Sequence, residues 1–263
     1  MEVVAYLASA LIGISLGLVG GGGSILTVPV LVYLFGVPPL LSTSYSLFIV
    51  GCTSLVGAWQ NYRNGLVQVK TAFLFGISSI STVWLTRKFL IPAIPQHIAT
   101  FDHFELTERM LMMVLFAILM LTAAIAMIRN GKTAEVCNKA EEQLNLPKLL
   151  CYGVGIGLTT GLLGAGGGFL LIPTLVVLVG LPMKEAIGTS LFIIALNSLI
   201  GFSGDFGHFE IDWLFLLKIT AIAVTGIFVG GKMSAKVDSK KLKTGFGWFV
   251  LLMGSYILLK EIL

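Results

Sequence analysis

The stretches "GLVGGGGSILTVP" (residues 17–29) and "GLLGAGGGFLLIP" (residues 161–173) align without a gap at an offset of 144. Each places a run of glycines, Gly20–Gly23 and Gly166–Gly168, inside an otherwise apolar stretch. Glycine in a helix interior costs about 1 kcal/mol relative to alanine. A run of three or four, repeated at one offset, therefore marks a helix interruption placed twice in the chain.

The alignment extends outward from these runs. Gly36 meets Gly180, Pro38 meets Pro182, and Ser46-Leu47-Phe48-Ile49 meets Ser190-Leu191-Phe192-Ile193. Across 17–57 against 161–201, 19 of 41 positions are identical. Apolar bias alone does not align glycines and prolines, so the chain is a duplicated half. The offset later shrinks to 133, where "FAILM" (116–120) meets "FVLLM" (249–253). The first half thus carries about 11 extra residues in or near 91–104.

The 263 residues are 56% hydrophobic and only 11% charged, against about 25% charged for an ordinary soluble domain. No charged side chain occurs between Glu2 and Arg63. A membrane helix needs about 20 mostly apolar residues. The reading is an all-α polytopic membrane protein of two repeats, with 8–10 membrane segments and glycine-rich broken or re-entrant helices. Residues 1–128 form the first transmembrane repeat, 129–148 a polar cytoplasmic linker with a short helix, and 149–263 the second repeat. The apolar segments fall near 3–19, 24–36, 41–59, 69–87 and 107–128, then 149–163, 168–180, 186–203, 213–231 and 244–262. The segment after each glycine run is short for a full span. Each half then crosses an odd number of times, and the repeats are inverted. The insertion 91–104 reads as an external loop or interfacial helix.

Charge fixes an orientation. With the linker inside, Arg63, Lys70, Arg129, Lys184, Lys232 and Lys236 fall on the cytoplasmic side, as the positive-inside rule requires. Asp205, Glu210 and Asp212 fall outside, as do Arg87, Lys88 and Lys260 against the trend. Both termini then face out. The N-terminus lacks a basic region and reads as a retained span. Cys52, Cys137 and Cys151 show neither metal spacing nor a disulfide framework.

In hydrocarbon, irregular backbone survives only where it is buried in protein or lines a wet cavity. A break at each glycine run frees N–H groups at the start of the following short helix, an end that attracts anions. Two such ends converging near the midplane are a common transporter construction. The candidate substrate-binding residues are therefore Gly20, Gly21, Gly22, Gly23 and Ser24 in the first half. Gly164, Gly166, Gly167 and Gly168 are their partners in the second. Ser44, Ser46, Thr189, Ser190 and Asn197 join them, because hydroxyls and amides bind an oxyanion without burying a fixed cation. Serine and threonine have an alternative partner in their own helix carbonyls. The spaced pairs Gly13/Gly17, Gly157/Gly161 and Gly226/Gly230 read instead as helix-packing positions. Asp205, His208 and Glu210 read as solvated loop residues, with a proton relay as the alternative. Lys218 reads as a snorkelling side chain.

The glycine runs with their trailing prolines resemble the sulfite exporter TauE/SafE family of membrane permeases. "YRNGLV" (62–67) and "GHFEIDW" (207–213) are similar to that family's short turn motif, and "WLTRKFLIPAIP" (84–95) to one subgroup of it. The resemblance implies a multi-pass transporter of the inner (plasma) membrane for export or uptake of a small sulfur-containing anion, such as sulfite or an organosulfonate, with export the favoured direction. A passive anion or small-solute channel is the alternative. It implies no enzyme activity, cofactor, metal or nucleic-acid partner. The implied partners are the small anionic substrate and the lipid bilayer, with a coupling proton or sodium ion and a homo-oligomer left open. The halves also differ: "FGISSISTVWL" (75–85) stands where the second half has "AVTGIFVGG" (223–231).

Overall fold

The computed structural model describes residues 2–93, 97–101, 104–129, 146–234 and 239–262. Ten helices carry the chain among the described residues. In the first half these are α1 (Glu2–Val19), α2 (Thr27–Tyr33), α3 (Pro39–Arg63), α4 (Val69–Leu85) and α5 (Glu108–Arg129). In the second they are α6 (Leu146–Leu163), α7 (Gly168–Leu178), α8 (Met183–Gly204), α9 (Trp213–Ser234) and α10 (Ser239–Ile262). Four stretches, Pro39–Arg63, Val69–Leu90, Met183–Gly204 and Trp213–Met233, are long and apolar enough to cross a membrane. The protein is a polytopic helical membrane protein.

Local chemistry sets the element ends. Pro39 opens α3, where a missing N–H removes no helical bond. Short helices α2 and α7 each end before a glycine in the left-handed region, Gly36 (φ 69°) and Gly180 (φ 74°). The chain then folds back so that Val37 N–H donates to Leu31 O (3.0 Å) and Leu181 N–H to Leu175 O (3.2 Å). These equivalent turns lie 144 residues apart, where the sequence repeat puts them.

Two features differ from the sequence reading. The residues Gly20–Leu26 wind into a 3-10 helix, so α2 starts at Thr27 and not at residue 24. The insertion forms a hairpin of two antiparallel strands, β1 (His97–Phe101) and β2 (Phe104–Thr107), in place of a loop or helix. Its β-branched and aromatic residues, such as Ile98, Thr100, Phe101 and Phe104, favour extended backbone. The linker helix expected in 129–148 falls largely outside the described residues.

The packing is centred on α3 and α8, which lie against each other. Both are more buried than α4 and α9 (67% against 39% of their apolar windows). Around this pair, α1 packs on α9, α6 on α4, α4 on α8, α9 on α3, and α5 on α10. Exchanging each helix for its sequence-repeat counterpart reproduces the same pairings. The close contacts use small residues. Gly13 and Gly17 lie on the backbone of α9 at Ala223 and Ile227, and Gly226 and Gly230 lie on α1 at Ala10 and Ile14. Gly157 and Gly161 meet α4 at Ser79 and at the following Thr86. Leu7, Leu11, Leu214, Leu217 and Leu252 are exposed on the outside, the surface that lipid covers.

Candidate functional site

The two glycine runs touch. A Cβ on Gly21 would lie 2.5 Å from the Gly168 Cα, so no side chain fits between the strands of backbone. In the second half, α6 stops at Leu163 and α7 starts at Gly168, with Gly164, Gly166 and Gly167 all at φ of 66–67°. Gly167 occupies the N-cap of α7 at φ 67°, ψ 5°, a conformation that costs an L-residue about 1–2 kcal/mol. In the first-half run Gly20 (φ 68°) is left-handed, and the run coils in the 3-10 segment. The two interruptions therefore differ in form.

Serines hold the carbonyl side of these turns. Ser24 Oγ lies between Gly21 O (2.7 Å) and Ala165 O and bridges the halves. Ser46 Oγ donates to Gly164 O at 2.7 Å. Ser24 and Ser46 thus position the turns. At the start of α7, Leu170 N–H and Leu171 N–H both donate to Gly167 O at 3.0 Å.

Buried polar atoms collect on the second run. Gly166 lies beside Ser198 Oγ, and Gly167 lies beside Thr160 Oγ1. Both hydroxyls, with Ser54 Oγ and Asn197 Oδ1, are buried and have no hydrogen-bond partner. Asn197 Nδ2 donates to Ser79 Oγ at 2.7 Å across the α8–α4 contact. Rotation of the amide presents either its N–H or its oxygen to that hydroxyl, so one of the two remains available. Thr160 was not a sequence candidate; its signal was a hydroxyl seven residues before Gly167, on the helix that enters the run.

Three candidates lie elsewhere. Ser190 Oγ donates to Ile187 O in its own helix (2.8 Å). Thr189 Oγ1 accepts the Gln68 N–H at 2.9 Å and fixes the α3–α4 turn. Tyr45 Oη does the equivalent job in the other half, accepting the Asp212 N–H at 2.8 Å. Ser44 faces neither glycine run but the carboxylate of Asp205.

That carboxylate belongs to a pair that the sequence reading missed. After α4, residues Thr86–Leu90 make a π-helical turn, closed by Ile91 N–H to Thr86 O (2.9 Å). The extra residue re-aims the side chains. Lys88 points out, its Nζ 4.4 Å from the Trp84 ring centroid, while Arg87 is fully buried. Arg87 Nη1 donates to Asp205 Oδ2 at 3.1 Å, with both side chains sealed from solvent (0% and 1% exposed). Asp205 is therefore not a solvated loop residue, although His208 and Glu210 are exposed. Burial pushes the Asp205 carboxyl above the usual carboxylate range, against the opposing pull of Arg87. Arg87 Nε, Arg87 Nη2 and Asp205 Oδ1 have no partner. The available signal was an Arg-Lys pair closing an apolar segment on the wrong side of the charge bias, with Asp205 the acid that ends the uncharged window 186–204.

Arg63 and Lys218 are exposed, as is Cys151; Cys52 is a half-buried helix residue. Among the described residues, no three His, Cys, Asp or Glu side chains gather as metal ligands.

The family model described as sulfite exporter TauE/SafE matches residues 5–257. The chain belongs to the TauE/SafE family. TauE/SafE relatives align along almost its whole length. A protein of Xylella fastidiosa (strain 9a5c) named "Probable membrane transporter protein" is 27% identical over 97% of this chain and 94% of its own. The "Probable membrane transporter protein YdhB" of Bacillus subtilis (strain 168) is 27% identical over 89% and 91%. The similarly named MJ0441 of Methanocaldococcus jannaschii is 25% identical over 95% and 92%. No solved structure matches this TauE/SafE protein. It is a membrane transporter by family.

Proposed function

We propose that this protein exports a small sulfur-containing anion, such as sulfite or an organosulfonate, across the inner (plasma) membrane. The halves are inverted repeats in this reading. Their glycine runs are paired helix breaks meeting near the bilayer midplane, where the anion is bound. The observation that carries the reading is the contact of Gly21 with Gly168. Two backbone turns from opposite halves meet there, beside the unpartnered hydroxyls of Ser198 and Thr160. Helix-start amides and hydroxyls stabilise a small oxyanion without a fixed countercharge.

The test is flux in proteoliposomes. The purified chain should move labelled sulfite or a small sulfonate with saturable kinetics, and Gly168→Leu should abolish the flux while insertion into the membrane is retained. Flux that rises linearly with concentration at channel rates would favour a passive pore. No flux with any member of a sulfite, sulfate, thiosulfate and sulfonate panel would remove the substrate class.

A further inference from the structure

A guanidinium has two bidentate edges, and Asp205 takes only Nη1. The Nε and Nη2 hydrogens, which share the other edge, are buried and unpartnered. That edge matches the oxygen spacing of a carboxylate, phosphate or sulfonate. We propose that Arg87 is a second anion station: its Nε/Nη2 edge takes a small oxyanion, and Asp205 takes up one proton as the anion arrives.

Charge balance sets the coupling. The Arg87–Asp205 pair is neutral when vacant, so a buried monoanion beside it leaves one uncompensated negative charge. Such a charge is expensive away from water. Protonating Asp205 restores neutrality, leaving Arg87 paired to the anion. When the anion departs, the carboxyl returns its proton to solvent. Each anion then travels with one proton. The groups facing Asp205 are Arg87 from the π-helical turn, Ser44 from α3 and His208 from its own turn. Lys88 is turned out to Trp84, and Glu210 and Asp212 are exposed.

Chain neighbours of the station touch the second run and α6. Thr43, next to Ser44, abuts Gly164, and Thr86, next to Arg87, abuts Gly161. The inference rests on the anion-transport reading and adds to it a cation and a coupling ion. The sequence repeat makes this one-sided: the positions opposite Ser44, Arg87 and Asp205 are Gly188, Gly231 and Asn61.

The test is binding of methanesulfonate and sulfite to the full purified chain in detergent, by calorimetry, from mildly acidic to mildly alkaline pH. Methanesulfonate keeps one charge throughout, so its pH dependence belongs to the protein. Wild-type affinity should weaken about tenfold per pH unit on the alkaline side. Asp205→Asn should bind at least as tightly as the wild type at acidic pH, without that slope, and His208→Gln should keep it. Arg87→Lys, which retains charge but loses the fork, should weaken binding roughly tenfold or more. The charge-balanced double variant Arg87→Gln/Asp205→Asn should lose this station's binding event and its pH slope, keeping only the pH-independent binding at the glycine turns. If the double variant binds like wild type, the pair is only a structural lock and the station is overturned while transport stands. A slope that persists in Asp205→Asn overturns the proton. Absence of binding to the wild type overturns both readings.

Discussion

Arg87 of the π-helical turn and Asp205 at the end of α8 meet at 3.1 Å with neither side chain exposed to solvent. A buried ion pair is poor evidence of stability, because desolvation opposes the attraction. Removing one partner is different, since the other is left charged and alone. We expect Arg87→Gln to lose about 3–5 kcal/mol, and Arg87→Gln/Asp205→Asn to recover most of it. Thermal unfolding in detergent reads both. Equal stability of the single and double variants would show that the partners do not depend on each other.

The contact of the glycine runs yields a second prediction with an internal control. Gly36 is left-handed with nothing within 4 Å of a built Cβ, so Gly36→Ala adds backbone strain alone. Its cost is about 1–2 kcal/mol, with transport retained once the protein is folded. Gly21→Ala drives a methyl into the Gly168 backbone and separates the halves at their meeting point. Transport per inserted molecule should fall on the order of tenfold or more, as for any misplaced site. The comparison is flux normalised to protein in the vesicle. Equal flux in the two variants would make the runs packing elements only.

Much of the architecture was legible because repetition and hydropathy are one-dimensional signals. The 144-residue offset paired Gly36 with Gly180 and Pro38 with Pro182, and both members of each pair do the same local job. The limits of α4 and α9 followed from apolar length. Side-chain destinations were less legible. Ser190 and Ser46 are the same residue at equivalent positions, yet one bonds its own helix and the other the opposite glycine turn. That choice depends on whether a carbonyl from another segment comes within reach. Arg87 entered the sequence reading only as a charge counted on the outer side; its burial depends on the π-helical turn and on Asp205 arriving from α8, and no local signal carries that pairing.

A third prediction separates glycine packing from glycine propensity within one helix. In α6, Gly155 is exposed and has nothing within 4 Å of a built Cβ, whereas a Cβ on Gly157 would lie 2.6 Å from Ser79 O. Gly155→Ala should stabilise by up to about 1 kcal/mol through helix propensity. Gly157→Ala should destabilise by about 1–3 kcal/mol through overpacking against α4. Unfolding of both variants under one condition gives the sign directly. A stabilising Gly157→Ala would mean that α4 and α6 are not in close contact.

Asn197 poses the last question, because its hydrogen bond to Ser79 is both a structural tie and a competitor for any solute. Ser79→Ala leaves the buried amide without that partner and should lose about 1–3 kcal/mol. The pair should couple by about 0.5–3 kcal/mol in a double-mutant cycle. Transport distinguishes the roles. If Asn197 serves only to tie α8 to α4, then Asn197→Ala should add no transport defect once Ser79→Ala has removed the tie. If its free amide atoms contact the anion, Asn197→Ala should lower flux further in the Ser79→Ala background, with a raised half-saturation concentration. We expect the second outcome, because Ser198 Oγ, the next residue along α8, already lies beside Gly166 without a partner. An unchanged half-saturation concentration in the double variant would remove Asn197 from the site and leave the hydroxyls and turn amides to hold the anion.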